Sequence, residues 1–321
     1  MSPGAREGAD DYLQIERHSQ QRPRDVALAS PGRDPLIYSR LWDQISTASH
    51  FLSAQGIQPG EIVALATPTG PTSITAVLSI TLRSACAPLD PALTRDEYRA
   101  LLPRIGASTL VFSGDLDSPL VDTARELGMR LIELRVSPHD SAGVFTLDEI
   151  DHRWGNRPGR VVDAKLLLQT SATTGAPKLV PRTLGSVVAA AEQDVRALEL
   201  SSSDRYLSLI PLNIGHGLTM AFSHFLCGAA VFCAPGFEAD AFSGWLREFR
   251  PTWLAAGTSI SRMILGLGKQ NPRLFSDVPL RFACSLGAAP EANLIFELEK
   301  LLGVPVLDEA QLRALLGQGG G

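Results

Sequence analysis

Several function classes are excluded by what this sequence lacks. Only four cysteines occur, Cys86, Cys227, Cys233 and Cys284. None forms a Cys-x-x-Cys pair or has histidines at metal spacing, so a zinc site or disulfide framework is not legible and four reduced core thiols are expected. No concentrated block of Lys and Arg appears and the formal charge is −5, which argues against nucleic acid as the main partner. The most apolar stretches, residues 74–89 and 221–234, are interrupted by Arg83 and His224 and fall short of the roughly twenty residues of a membrane span. Residues 1–11 are polar and acidic, without the basic-then-apolar order of a signal peptide. The compartment expected is the cytoplasm, with the peroxisome open should the native C-terminus lie beyond residue 321. There is no Gly-x-Ser-x-Gly elbow, which disfavours a serine hydrolase. No short-period repeat is found, and only residues 317–321 are low in complexity.

What is present is the material of a soluble α/β protein. Apolar residues make up 45% and charged residues 20%, and 321 residues suffice for two domains or one large domain of two similar layers. Leu41, Ile45, Ala48 and Leu52 recur at helical spacing within residues 39–55, and Gly56 follows as a stop. The run Ile62-Val63-Ala64-Leu65-Ala66 then reads as a strand buried on both faces. Helices at 72–85, 94–102 and 120–127 alternate with extended runs near 87–89, 108–112 and 130–134. Residues 137–160, rich in Pro, Gly, His and Asp, read as a surface connection. Strands resume at 166–169, 206–210, 229–234, 253–256 and 281–285, with helices between. Such alternation predicts an α/β fold of two layered subdomains, 12–160 and 161–307, with mostly parallel sheets covered by helices. Residues 308–321 read as an atypical tail.

The strongest chemical signal is the segment Leu166-Leu167-Leu168-Gln169-Thr170-Ser171-Ala172-Thr173-Thr174-Gly175-Ala176-Pro177-Lys178-Leu179-Val180. A buried strand runs into hydroxyls, a glycine and a lysine. Backbone N–H groups of a tight glycine-containing loop converge on an anion, the hydroxyls add donors and Lys178 supplies a compact cation. It is not the P-loop of nucleotide hydrolases, because Lys178 follows Pro177 and precedes Leu179. Taken alone, the loop also fits a polar turn into a helix beginning near Thr183, with no ligand at all.

The segment resembles the Thr-Ser-Gly-Thr-Thr-Gly-x-Pro-Lys-Gly-Val signature of the adenylate-forming (AMP-binding) superfamily, which includes acyl-CoA synthetases. It departs at Ala172 and Leu179, where that signature has glycine; each adds a Cβ to the loop. The run 209–218, Leu-Ile-Pro-Leu-Asn-Ile-Gly-His-Gly-Leu, resembles the family's Pro-Leu-Phe-His-x-His-Gly-Leu segment, with Ile214 at the first histidine and His216 at the second. Residues 281–290, Arg-Phe-Ala-Cys-Ser-Leu-Gly-Ala-Ala-Pro, resemble its adenine-side loop, and residues 60–65 and 86–91 fit its first subdomain. Likeness extends from near Tyr12 to Leu307, and the oxalate-CoA ligase group is the one it most resembles.

The resemblance implies an AMP-forming acid-CoA ligase using ATP, Mg2+ and CoA on a small carboxylic acid. Thr170, Ser171, Thr173, Thr174, Gly175 and Lys178 would hold phosphates, Gly287, Ala288 and Ala289 would border adenine, and His216 would line the acid pocket. A metal ligand is not assigned. In the family, the strand ending near Leu307 leads into Tyr-Gly-x-Thr-Glu; this chain instead continues Asp308-Glu309-Ala310-Gln311. A truncated N-terminal part, without the C-terminal lid domain, is therefore expected. The alternative is an inactive form that binds nucleotide weakly or serves as an interaction module.

Overall fold

A computed structural model describes residues 12–90, 93–114, 117–151, 159–170, 178–211, 215–234, 236–287 and 292–317. After a short 3-10 turn, the chain forms α1 (Ile15–Gln21), β1 (Val26–Ser30), β2 (Arg33–Ile37), α2 (Tyr38–Ala54), β3 (Ile62–Ala66), α3 (Pro71–Thr81) and β4 (Ala85–Pro88). Next come α4 (Arg95–Ile105), β5 (Thr109–Phe112), α5 (Pro119–Glu126), β6 (Arg130–Arg135), β7 (Thr146–Asp151), β8 (Leu166–Thr170) and β9 (Lys178–Arg182). The remainder is α6 (Leu184–Ala197), β10 (Arg205–Leu209), α7 (Gly215–Cys227), β11 (Ala230–Cys233), α8 (Ala239–Phe249), β12 (Trp253–Gly257), α9 (Thr258–Gln270), β13 (Phe282–Leu286), α10 (Ala292–Leu302), β14 (Val306–Asp308) and α11 (Glu309–Leu315).

These strands make two seven-stranded sheets, ordered β7-β6-β5-β3-β4-β8-β9 and β14-β13-β12-β10-β11-β1-β2. Parallel pairing dominates both; the antiparallel pairs are β6–β7, β8–β9 and β1–β2, each at a sheet edge. The allocation of strands does not follow a cut at residue 160. Strands β1 and β2 join the sheet built mainly from residues 205–308, while β8 and β9 complete the other.

Alternation within single strands explains the layering. In β3, Val63 and Leu65 enter one core with α2 and α3, while Ile62, Ala64 and Ala66 enter another with α4 and α5. Within β12, Trp253 and Ala255 face the first of these cores, and Leu254 and Ala256 face a third with α8 and α10. The first core is thus shared by both sheets, and α2, α3, α6 and α7 lie in that central layer. Period-2 side-chain direction in a strand with helices on both faces requires apolar residues at every position, as β3 shows.

Of the strands absent from the sequence-based expectations, three share a reason. Residues 146–151 lie within the predicted surface connection, yet β7 pairs with β6 through Arg135↔Thr146 and Leu134↔Leu147. Its acidic residues are met across the strands, Asp148 by Arg135 at 2.9 Å and Glu149 by Arg130 at 3.8 Å. Strand β9 carries Pro181 and β2 carries Pro35, and both are edge strands. An edge tolerates a missing N–H and welcomes charge, so these strands lack the apolar pattern of interior ones.

Helix α7 is pinned to the central layer by an aromatic ladder. Tyr206, Trp253 and Phe282 lie in register on β10, β12 and β13 and stack at centroid distances of 4.2 and 4.9 Å. Trp253 Nε1–H donates to His224 Nε2 at 2.9 Å, and His224 Nδ1–H donates to the Met220 carbonyl at 2.6 Å. Both nitrogens are used by a neutral ring, and burial lowers its pKa to about 4. From the neighbouring position on α7, Ser223 Oγ–H donates to Asp194 Oδ2 of α6 at 2.7 Å, and burial raises that carboxyl to about 6.

The two groups oppose one another in pH dependence. His224 binds its proton near pH 6.5 when unfolded and near 4 when folded. Its contribution to stability is present above about 6.5 and lost as pH falls toward about 4. Asp194 holds its proton longer in the folded state, so its contribution is present below the unfolded value of about 4 and lost as pH rises through about 6. In Asp194→Asn, where only His224 acts, the thermal midpoint should fall from pH 6.5 to 4.5 more than in wild type. In His224→Gln the fall should shrink or reverse. Calorimetric Tm profiles of the three proteins check this.

Candidate functional site

Parallel sheets present their connections at the carboxyl ends of their strands, and a crevice opens where successive connections leave on opposite faces. In the second sheet this point lies between the adjacent strands β10 and β12. The helix after β10 is α7, whose Leu218, Ala221, Phe222 and Phe225 pack into the central layer. Following β12 is α9, whose Ile264 packs on the outer face. His216 sits in the first turn of α7 and is half-buried. Gly257 ends β12 opposite Leu286 of β13, and Gly287 follows directly. The fold thereby places His216 and Gly287 at one end of one sheet, with Gly257 and Thr258 between their strands.

Gly287 has a local reason to be glycine. Its φ is +104°, a conformation strained for residues with a Cβ, although no atom of the described residues lies within 4 Å of where a Cβ would stand. Its N–H donates to Glu309 Oε2 at 3.0 Å. That partner was not legible in the sequence, because nothing in a linear reading places the start of α11 beside the end of β13. Ala288 and Ala289 lie outside the described residues.

Thr170 and Lys178, which flank the hydroxyl-rich residues in sequence, lie at the carboxyl end of β8 in the other sheet. Strand β8 runs parallel to β4, then pairs antiparallel with β9 from Leu166↔Arg182 to Thr170↔Lys178. Thr170 and Lys178 are thus directly opposed across the hairpin, and the connection between them spans 171–177. Ser171, Thr173, Thr174 and Gly175 lie outside the described residues. Gln169 Nε2–H donates to the Pro88 carbonyl at 3.3 Å, tying β8 to the end of β4. From β9 the chain enters α6 through Thr183, whose hydroxyl accepts the Ser186 N–H at 3.2 Å. This cap meets the expected helix start. Because α6 packs along α7 through Asp194 and Ser223, the helix leaving the hairpin contacts the helix that carries His216.

A match to the AMP-binding enzyme family spans residues 15–310. The chain belongs to that family. Over 306 residues it is 28% identical to an oxalate–CoA ligase of Arabidopsis thaliana, covering 92% of this chain and 59% of that relative. Among solved structures, a long-chain-fatty-acid–CoA ligase from Archaeoglobus fulgidus superposes with a TM-score of 0.76 at 16% identity, over 91% of this chain and 61% of that one. O-succinylbenzoate coenzyme A synthetase from Bacillus subtilis, in complex with AMP, gives 0.72 at 18%, over 91% and 71%. The α/β architecture expected from the sequence is that of this family's N-terminal region. The chain spans less than two thirds of its curated relative's length.

The family implies ATP and CoA, and a backbone N–H at the carboxyl end of a strand, such as that of Gly287 which Glu309 now occupies, is a donor of the right kind. Among the described residues no group of three or more His, Cys, Asp and Glu is arranged to hold a metal ion, so none is assigned to Mg2+. A surface groove of about 730 Å³ between α2 and residues 139–147 contains none of the predicted site residues. All four cysteines are free, and burial pushes the Cys227 thiol up to about 11, away from nucleophilic use.

Replacing Gly287 by alanine tests the geometry of this end of the sheet. With no described atom crowding the new Cβ, the change acts through backbone strain, and urea unfolding should show a loss of about 1–3 kcal/mol at unchanged m-value.

Proposed function

We propose that this chain is the nucleotide-gripping portion of an AMP-forming acid–CoA ligase. The observation that carries this reading is the hairpin in which Thr170 and Lys178 stand opposite each other at the carboxyl end of a parallel sheet, closing the hydroxyl- and glycine-bearing connection. Membership of the AMP-binding family and the likeness to CoA ligases support it.

In the reaction, a carboxylate oxygen of a small acid bonds to the α-phosphorus of ATP while the bond to pyrophosphate breaks. The sulfur of CoA then bonds to the acyl carbon, AMP departs, and the thiol proton passes to solvent. Thr170, Ser171, Thr173 and Thr174 would donate hydrogen bonds to the phosphates that leave, and the Gly175 backbone would allow their close approach. The Lys178 ammonium would offset charge on the same phosphates, a preorganised electrostatic role. His216 would border the acid, and Gly287, Ala288 and Ala289 would line the adenine side. Mg2+, when bound, would neutralise further phosphate charge. Oxalate is the first acid to test, given the Arabidopsis relative.

A second reading, weak nucleotide binding without turnover, is favoured by one contact, the occupation of the Gly287 amide by Glu309. Calorimetry with ATP together with pyrophosphate exchange separates the two. Heat of binding with exchange supports a ligase, and heat without exchange supports a binder.

Lys178→Ala should weaken ATP binding by about ten- to a hundredfold, as expected for loss of a charge-assisted phosphate contact worth about 1.5–3 kcal/mol. In wild type, millimolar ATP should move the amide resonances of Thr170 and Lys178. Unmoved resonances in folded protein would remove the basis for both readings.

A further inference from the structure

The segment after β14 is not a loose appendage. Asp308 Oδ1 accepts the Gln311 N–H at 2.7 Å while Gln311 Oε1 accepts the Asp308 N–H at 2.9 Å, a reciprocal cap that starts α11. Leu312, 1% exposed, enters the central core, and Leu316 packs against it. Burying such a leucine contributes about 1.5–3 kcal/mol. Beyond the helix, Gln193 Nε2–H of α6 donates to the Gly317 carbonyl at 3.4 Å. Cap, core anchor and this last contact hold α11 at the carboxyl ends of β13 and β14.

So held, α11 delivers one carboxylate to one amide. Glu309 Oε2 accepts the Gly287 N–H at 3.0 Å, and Glu309 Oε1 meets the Arg313 guanidinium one turn along. Arg313 fixes the direction of the carboxylate and leaves its other oxygen on the amide. Gly287 directly follows β13 beside the crevice between β10 and β12, and no atom of the described residues lies within 4 Å of where its Cβ would be. A backbone N–H in that place serves a ligand that offers a lone pair, such as a ring nitrogen of a purine. In this chain the lone pair comes from Glu309.

We propose that Glu309 is a tethered competitor for the Gly287 amide, so that α11 is an autoinhibitory element and the nucleoside gains this donor only when the Glu309 carboxylate leaves it. This rests on the nucleotide-binding reading above. A tethered group acts at an effective concentration in the millimolar range. Apparent affinity falls with the fraction of molecules in which the amide is free.

The test uses the whole chain with Glu309→Ala and Glu309→Gln, and measures the affinities of ATP and of uncharged adenosine by calorimetry, with Tm as the folding control. Competition predicts that both ligands bind about tenfold more tightly to Glu309→Ala, and less markedly so to Glu309→Gln, which keeps an acceptor oxygen without its charge. In wild type, adenosine should shift the Gly287 amide resonance as it binds. Tightening of ATP alone would show charge repulsion without competition for the amide, and unchanged affinities would show neither; each overturns the proposal while leaving nucleotide binding intact. Absence of ATP binding in all three folded proteins would remove the nucleotide reading and this inference together.

Discussion

The central layer of helices shared by the two sheets is the constraint on which this structure depends. Val63, Leu65 and Cys86 of one sheet and Tyr206, Trp253 and Cys284 of the other pack into the same core through α2, α3, α6 and α7. Neither sheet has an inner face that could be exposed without uncovering apolar residues along each of these strands. Apolar burial is therefore continuous from one sheet to the other, and two polar side chains inside it are paired: His224 with Trp253 and Met220, and Asp194 with Ser223. Buried polar groups without partners would cost about 1–3 kcal/mol each, which is why such pairs specify how α7 and α6 sit.

Functional geometry follows from that layer. Once α7 lies inside and α9 outside, the crevice between β10 and β12 is set by topology, and residues distant in sequence arrive at the same end of the sheet. The hairpin β8–β9 reaches the arrangement by another route. It completes the first sheet, then feeds α6 into the central layer against α7. Packing that stabilises the fold thus also joins the element closing the hydroxyl-rich segment to the element carrying His216. The contact of Glu309 with Gly287 belongs to the same geometry, since Leu312 anchors α11 in the shared core.

Much of this was readable from residues alone, and the exceptions share a physical cause. Strands β3, β5, β10, β12 and β13 announce themselves because two-sided burial demands continuous apolar runs. Helices α2, α4 and α6 are marked by period and by caps at Thr94 and Thr183. Strands β7 and β9 were hidden because edge positions accept acidic residues and proline. In the segment 309–315 only Leu312 is buried, and its helix depends on the Asp308 cap and on the contact of Leu312 with the core, where Leu316 also packs.

Composition and strand–helix alternation determined by themselves the α/β class, a property of local pattern, while the resemblance of residues 166–180, 209–218 and 281–290 to known segments pointed to the family and the candidate residues. The allocation of strands between sheets, the placement of His216 and Gly287 at the same end of one sheet, and the capture of the Gly287 amide by Glu309 were decided only by tertiary structure. Strand order and helix side arise from contacts between residues far apart in the chain, and no local sequence signal encodes which carboxylate will reach which amide.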